Sequence, residues 1–497
     1  MGQSVSALPY PLFACPDPDR QAAAAGLTPV QAWLLVVIIT LAGCLWLTGS
    51  LWSVLRIGLG SGILVISTVR LVACAVPRQD AMPAAPIPDE RVWPVYTVIL
   101  ALYREAAIVP QLIAAMEALD YPRDRLQIIA AVEADDVATV AACWRVGRHL
   151  GLQLAFAEGH APRTKPRALN AALAMARGDL LVVYDAEDRP HPRQLREAAT
   201  GFARGGGDLA VLQSPLRVSV APQALEIARQ FRLEYAALFE VILPFLTRLG
   251  LPFPLGGTSN HIRRSVLEAL GGWDPWNVTE DADLGFRLAA AGYRAGMLRL
   301  PTMESATPSV RPWLAQRSRW LKGHMQTVGV HSRNPAVLGW RGTVSLILSL
   351  GCGIGAAGVH GPMTLLLILV PLGGGTLAPG DLLVLGLGWG SAVISMAVGA
   401  RRTGTGIPWT SLGLAAAFWP LQSLALVRAL WQLRVCPHHW DKTDHAPEPA
   451  RRNGELPLLP VLPPLDEVAE SGLSGSGEHQ PPPPRRRRDD PAHPALG

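Results

Sequence analysis

Hydrophobic and polar positions divide the chain into three kinds of stretch. From Ala32 to Val76 only Arg56 and Arg70 are charged. A bilayer core takes about 20 apolar residues per helix, so this stretch predicts two membrane helices, 32–49 and 57–75. From Val92 to Asn334 the chain is amphipathic and charged. Apolar runs return at 343–359, 362–373, 382–400 and 410–430, the second of them short enough to be re-entrant or interfacial. After Trp440 the composition turns to Pro, Gly, Ser and charge, ending in Pro481-Pro482-Pro483-Pro484 and Arg485-Arg486-Arg487-Arg488. Such a tail cannot bury a core and is expected to be disordered. The division is therefore 1–31, a tail; 32–76, two membrane helices; 77–92, a Pro/Ala linker; 93–308, a charged central domain; 309–333, an amphipathic interface helix; 334–430, a membrane region of about four segments; and 431–497, a largely disordered tail.

Within the central stretch, residues 96–102 are β-branched and apolar throughout, as buried strands are, and 126–132 and 180–184 read as a second and a third strand. Helical periodicity separates them: Val109, Leu112, Ile113 and Met116 fall on one face. Strands alternating with helices predict a mainly parallel sheet covered on both sides, an α/β, Rossmann-like domain inserted between transmembrane helices. Ligands of such sheets lie at the carboxyl ends of the strands. Two acidic clusters stand there, Glu133-Ala134-Asp135-Asp136 and Asp185-Ala186-Glu187-Asp188. Like charges converge at a cost, which a divalent cation carrying a diphosphate offsets.

Composition sharpens the membrane reading. The 497 residues are 49% hydrophobic and 17% charged, against the roughly 25% charged of soluble domains. That excludes a mostly disordered chain and argues against a purely soluble one. The net charge of +5 rests largely on the tail arginines, so no nucleic-acid surface is expected. Six scattered cysteines without a C-x-x-C pair predict neither a disulfide framework nor a zinc site. No signal peptide is expected, since the first apolar run begins near Trp33; Met1-Gly2-Gln3-Ser4-Val5-Ser6 matches a myristoylation pattern too short to carry weight. Arginine-rich flanks place the domain in the cytoplasm. Six spans would return the tail to that side but leave Arg401-Arg402 outside; five would do the reverse.

Four further motifs bear on chemistry. Lys165-Pro166-Arg167-Ala168-Leu169-Asn170 offers a lysine for phosphate. Gly256 and Gly257 permit close backbone approach. In Asn277-Val278-Thr279-Glu280-Asp281-Ala282-Asp283, Asn277 and Glu280 are spaced as a capping box, which leaves Asp281 and Asp283 unexplained; an aspartate beside a sugar hydroxyl suits a general base. Gln316, Arg319 and Trp320 share a helix face by their i, i+3, i+4 spacing, fit for stacking a sugar and gripping a diphosphate, or for anchoring at headgroups.

In this order the motifs resemble membrane-embedded family 2 glycosyltransferases, the clan of bacterial cellulose synthase catalytic subunits and related polysaccharide synthases. The resemblance runs from Trp93 to Leu321. It implies a GT-A fold, a nucleotide-sugar donor (a UDP-sugar foremost), Mg2+ or Mn2+, inversion at the anomeric carbon, and an inner-membrane location. It makes Asp185 and Glu187 the metal ligands, with Glu187 in place of the usual aspartate and Asp188 as the substitute. Glu133, Asp135, Asp136, Lys165, Asn170 and Asp185 would bind the donor. Asp281 would be the catalytic base. Glu280, Gln316, Arg319 and Trp320 would meet acceptor or diphosphate. It further implies a growing polysaccharide as acceptor, processive synthesis and export partners, with one-sugar transfer to a lipid as the alternative and an inactive receptor or assembly component as a third. His439-Trp440-Asp441-Lys442-Thr443-Asp444-His445 is expected at the place of a gating loop.

Overall fold

The computed structural model describes residues 23–77, 93–157, 162–221 and 223–441. The start of the chain, the 82–88 linker, residues 442–445 and the arginine tail lie outside the described residues. Ten strands are described: β1 (Tyr96–Ala101), β2 (Leu126–Glu133), β3 (Gln153–Ala157), β4 (Leu180–Asp185), β5 (Arg189–Pro190), β6 (Leu209–Gln213), β7 (Leu216–Ser219), β8 (Asn260–Arg263), β9 (Arg294–Met297) and β10 (Thr302–Ser305). The main sheet runs β3-β2-β1-β4-β8-β6-β9, and a small sheet runs β5-β10-β7. In the main sheet β1 to β4 pair in parallel and β8 runs antiparallel to both neighbours. This is the α/β class expected, with a mainly parallel sheet.

The strands read as continuous apolar runs because both faces are covered. Alternate residues of one strand enter different cores. Ile99, Ile129, Leu181 and Val183 pack with Leu169, Phe231 and Trp313. Val98, Leu100, Ile128 and Val182 pack with Leu112, Met116, Leu195 and Phe202. Each such buried side chain contributes on the order of 2 kcal/mol, so register is held from both sides. Register in turn brings strand ends together: Ala101 of β1 pairs with Ala131 of β2 and with Asp185 of β4.

Among the described residues five helices are long and apolar enough to cross a membrane: Pro29–Leu47, Ser53–Ala75, Pro335–Leu372, Pro379–Arg402 and Trp409–Val435. The expectation of four segments after the domain is corrected to three helices. The runs 343–359 and 362–373 form one 38-residue stretch, kinked at Gly339 (φ 69°) and containing a π-turn at Ile347–Gly351. Pro362 does not end it. The Ser423 hydroxyl from Trp409–Val435 donates to the Ala357 carbonyl and accepts from Gly361 N–H at 2.8 Å, supplying partners where the proline disturbs the ladder.

Polar contacts orient these helices. Gln31 donates to the Gly329 carbonyl and to Ser332 Oγ, both at 2.8 Å, so the first helix starts at the domain. Arg56 and Asp381 pair at 2.7 Å near the starts of the second helix and of Pro379–Arg402. At their other ends Arg402 donates to the carbonyls of Val76 (2.8 Å) and Glu240 (2.7 Å). Both helices thus finish at the domain. Trp409–Val435 is bonded to the domain at each end. Gln230 donates to the Ser411 carbonyl at 2.5 Å, while Lys322 and Gln326 donate to the carbonyls of His439 (2.6 Å) and Pro437 (3.1 Å). The same helix leaves Leu424, Val427 and Trp431 exposed.

Candidate active site

The parallel strands deliver their last residues to a cavity of about 320 Å3. Its walls include Glu133, Lys165, Asp185, Glu187, Gly257, Glu280, Asp281, Gln316, Arg319 and Trp320, residues spread over nearly 190 positions of sequence. The turn after β4 shows how the acids divide their work. Asp188 is buried, and its carboxylate accepts from Asp185 N–H (2.7 Å) and from the Thr258 hydroxyl. Burial, then the neighbouring Asp185 and Glu187, push its carboxyl well above the ordinary range. Asp188 therefore braces the turn, and Asp185 and Glu187 face the cavity.

Lys165, the first residue of the helix Lys165–Leu173, reaches Asp185 Oδ1 at 2.5 Å and donates to the Gly257 carbonyl at 2.6 Å. Burial works against its charge, yet Asp185, Glu280 and Asp281 hold the ammonium above its usual value. Gly257 lies between two acids. A Cβ there would stand 3.4 Å from Asp281 Oδ2 and 4.0 Å from Asp185 Oδ2, so glycine leaves the space between them open. The backbone reaches this place through Ser259, which adopts φ 58°. Its N–H donates to the Val183 carbonyl (2.7 Å) and its hydroxyl meets Thr302 (2.6 Å), which hold the strained conformation.

Glu280 and Asp281 open the helix Glu280–Ala290. The capping-box expectation does not hold. Asn277 Oδ1 accepts from Thr279 N–H at 3.0 Å and its amide donates to Thr327, which leaves Glu280 to the cavity. Asp283 is fully buried and meets His331 at 3.0 Å. Two acids with different tasks account for the pair that capping left unexplained. Burial raises the Asp281 carboxyl, against the pull of Lys165 and Arg319. Burial and then Asp281 push Glu280 up to about 7.

The helix Val310–His331 brings Gln316, Arg319 and Trp320 to the cavity together, as their spacing predicts. Gln316 Oε1 and Arg319 Nε are buried without a hydrogen-bond partner among the described residues; buried polar atoms in such a state call for a ligand. Arg319 lies over Trp440, 5.3 Å from the ring centroid. Trp320 packs against Phe231 and Tyr235, and Arg317 covers its ring at 4.5 Å.

Three residues expected at the donor do not line the cavity. Asn170 uses its whole amide on the backbone of Trp273, donating to the carbonyl at 2.8 Å and accepting from N–H at 2.9 Å. It anchors the segment that leads to Asp281. Asp136 caps the helix Val137–Gly147 through Thr139 N–H. Asp135 pairs at the surface with Arg163 at 2.7 Å. Of that cluster only Glu133 lines the cavity, held by Arg167 at 2.6 Å. Sequence reading missed Glu304, which also lines it. Burial, then Asp188, Glu187 and Asp185, raise its carboxyl well above the ordinary range. The signal available was an acid at an inward position of an alternating strand, two residues from buried Thr302.

Among the described residues no group of three or more His, Cys, Asp or Glu side chains stands ready to hold an ion. Asp185 and Glu187 offer hard oxygens from one turn. That suits Mg2+ or Mn2+, which take one or two carboxylates and complete their shells with water and substrate phosphates.

Residues 180–421 match the model of glycosyl transferase family group 2. A probable glycosyltransferase of Bacillus subtilis is 27% identical over 47% of this chain and 56% of its own length. A beta-monoglucosyldiacylglycerol synthase of Synechocystis is 26% identical over 58% of this chain and 59% of its own. A UDP-forming cellulose synthase catalytic subunit of Xanthomonas axonopodis is 27% identical over 48% and 33%. The chain thus spans between a third and three fifths of the length of these relatives. Among solved structures, a mannosyltransferase of Pyrobaculum calidifontis in complex with GDP-Man and Mn2+ is 20% identical, covering 75% of this chain and 98% of that one at a TM-score of 0.45. Over residues 180–421, this chain is similar to glycosyl transferase family group 2.

Proposed function

We propose that the chain transfers a sugar from a nucleotide-sugar donor to an acceptor hydroxyl at the cytoplasmic face of a membrane, with inversion at the anomeric carbon. The observation that carries this is the convergence of Lys165, Asp185, Asp281, Gln316 and Arg319 on one cavity. Asp281 takes the acceptor proton. The acceptor oxygen attacks the anomeric carbon while the bond to the diphosphate breaks on the opposite side. Lys165 and Arg319 meet the charge of the departing diphosphate. Asp185, with Glu187, would hold Mg2+ or Mn2+, which supplies charge neutralisation of the same group. Glu133 belongs to the donor end of the cavity.

The helix contacts support one topology. Four helices cross, and Trp409–Val435 lies at the interface with its exposed apolar face toward lipid. Arg401, Arg402 and the residues after Val435 then share the domain's side, which the positive-inside bias makes cytoplasmic. This arrangement removes the conflict between five and six spans.

A relative that makes a glycolipid and one that makes cellulose leave two acceptor classes. Processive synthesis coupled to export draws on the second. The test of transfer itself is nucleoside diphosphate release by the purified protein across a panel of nucleotide sugars, with Mg2+ or Mn2+. Release with one donor class, lost on chelation, is the expected result; no release with any donor contradicts the proposal.

A further inference from the structure

Strand β10 is the middle strand of the small sheet, paired with β5 on one side and β7 on the other. Side chains along a strand alternate between faces, so Thr302 and Glu304 share one, and both are buried. The Thr302 hydroxyl meets Ser259 Oγ at 2.6 Å and accepts from Gln194 Nε2 at 3.0 Å. These bonds fix the strand two residues before Glu304. Glu304 lines the cavity, is only 8% exposed, and has no hydrogen-bond or ion-pair partner among the described residues.

Other acids of the cavity are provided for. Arg167 holds Glu133 at 2.6 Å, Lys165 holds Asp185 at 2.5 Å, and Asp281 accepts from Ala282 N–H at 2.8 Å. A buried carboxylate without donors is costly, so a ligand must bring them. The choice of ligand group is narrow. A diphosphate would repel the carboxylate. A third metal ligand does not fit, because Glu304 forms no ion-holding group with Asp185 and Glu187 among the described residues. Hydroxyls remain, and a carboxylate can accept from two of them at once. Glu304 lies within electrostatic reach of Asp185, Glu187 and Lys165, and also of Tyr235, which packs on Trp320. In the proposed reaction the sugar to be transferred is bonded to the phosphate nearest the reacting centre, while the nucleoside hangs from the far one. The hydroxyls closest to this carboxylate are then those of that sugar.

We infer that Glu304 selects the donor sugar, its carboxylate accepting from one or two hydroxyls of the sugar being transferred. This rests on the transferase reading above. Asp281 keeps the proton transfer; Glu304 makes no covalent bond and breaks none. An acid placed to receive a hydroxyl discriminates strongly against a sugar that lacks it, since the carboxylate is then buried unpaired. Strand β10 holds the carboxylate in one place, so one or two adjoining positions of the sugar ring carry most of the selectivity.

The test reads kcat/KM of the full-length protein for UDP-glucose and its 2-, 3-, 4- and 6-deoxy analogues, by nucleoside diphosphate release with Mn2+ present. A different sugar selected by the donor panel brings its own deoxy series. In wild type one or two of the analogues should lose at least about 30-fold against the parent donor. Glu304→Ala should lower the parent donor by a similar factor and shrink that ratio to within about threefold, the mark of a direct pair in a double-mutant cycle. UDP affinity and the metal concentration for half-maximal turnover should stay within about twofold. Should that variant fold poorly, Glu304→Gln keeps the shape with a neutral acceptor roughly half as strong, and should bring the ratio to about fivefold. A wild type indifferent to every deoxy analogue, an unchanged ratio in the variants, weakened UDP binding or a raised metal requirement overturns the inference while leaving the transferase reading intact. Absence of nucleoside diphosphate release with every donor in the panel sinks that reading itself.

Discussion

Lys165 and Asp185 form an ion pair within the cavity, Nζ to Oδ1 at 2.5 Å, and the same ammonium caps the Gly257 carbonyl. The pair joins the two halves of the proposed donor site, the phosphate-binding lysine and the carboxylate of the metal. Each neutralises the other until a donor brings its own charges. Lys165→Met should therefore weaken donor binding by about 10- to 100-fold, the loss of one charged contact in a partly desolvated site. Asp185→Asn should abolish the metal dependence of that binding. Calorimetric donor titrations with and without Mn2+ check both.

The turn after β4 predicts a split between neighbours. Glu187→Gln should raise the metal concentration needed for half-maximal turnover and leave thermal stability within about 0.5 kcal/mol. Asp188→Leu should instead destabilise the domain by about 1–3 kcal/mol, because Asp185 N–H and Thr258 lose their buried acceptor. Denaturation and metal titration of the two variants separate these roles. The reverse pattern would move the second ligand to Asp188.

These contrasts show what the sequence could and could not reveal. That Glu133, Asp185 and Glu187 follow strand ends and that Gln316, Arg319 and Trp320 share a face was legible because strand ends and helix faces follow from periodicity, whereas Asp281 was picked out by its motif. The partners of Asn170, Asp135 and Asp136 were hidden because a side chain's partner can lie far away in sequence; Asn170 reaches Trp273, 103 residues on. Glu304 escaped because four residues of alternation are too short a run to stand out in the sequence. The continuous helix through Pro362 was hidden because its support, Ser423, belongs to another segment.

Glu280 sets a pH dependence. With its carboxyl near 7, protonation on acidification removes a negative neighbour and makes Asp281 a weaker base. The rate kcat/KM should fall below about pH 7, and Glu280→Gln should remove that limb and hold the rate at its low plateau. For stability the sign is opposite. An acid with a raised folded-state pKa contributes most below its unfolded value, and that contribution is lost as pH rises toward 7. A pH–rate profile of the two proteins checks the first statement.

His261 predicts acid lability of the domain. It is fully buried and stays neutral, bonded to the Tyr96 hydroxyl at 2.6 Å, and burial lowers its pKa to about 3. The unfolded chain takes up a proton below about 6.5 and the folded one does not, so stability falls on acidification between those values. The slope from this one group is about 1.4 kcal/mol per pH unit. His261→Gln should flatten that slope in denaturant titrations from pH 6.5 to 4.

Topology is testable with reporters. Fusions after Gly375 and after Thr405 should report opposite sides, and one after Asp441 should agree with the second. A fusion after Asp441 that agreed with Gly375 would mean that Trp409–Val435 crosses.

The central claim is that Asp281 is the base of a sugar transfer in this cavity. Its most direct measurement is turnover of Asp281→Asn against wild type, on the acceptor that wild type uses, with donor affinity measured in the same preparation. Donor binding within about threefold and turnover lower by at least about 100-fold is the predicted result. Turnover near that of wild type would contradict the account.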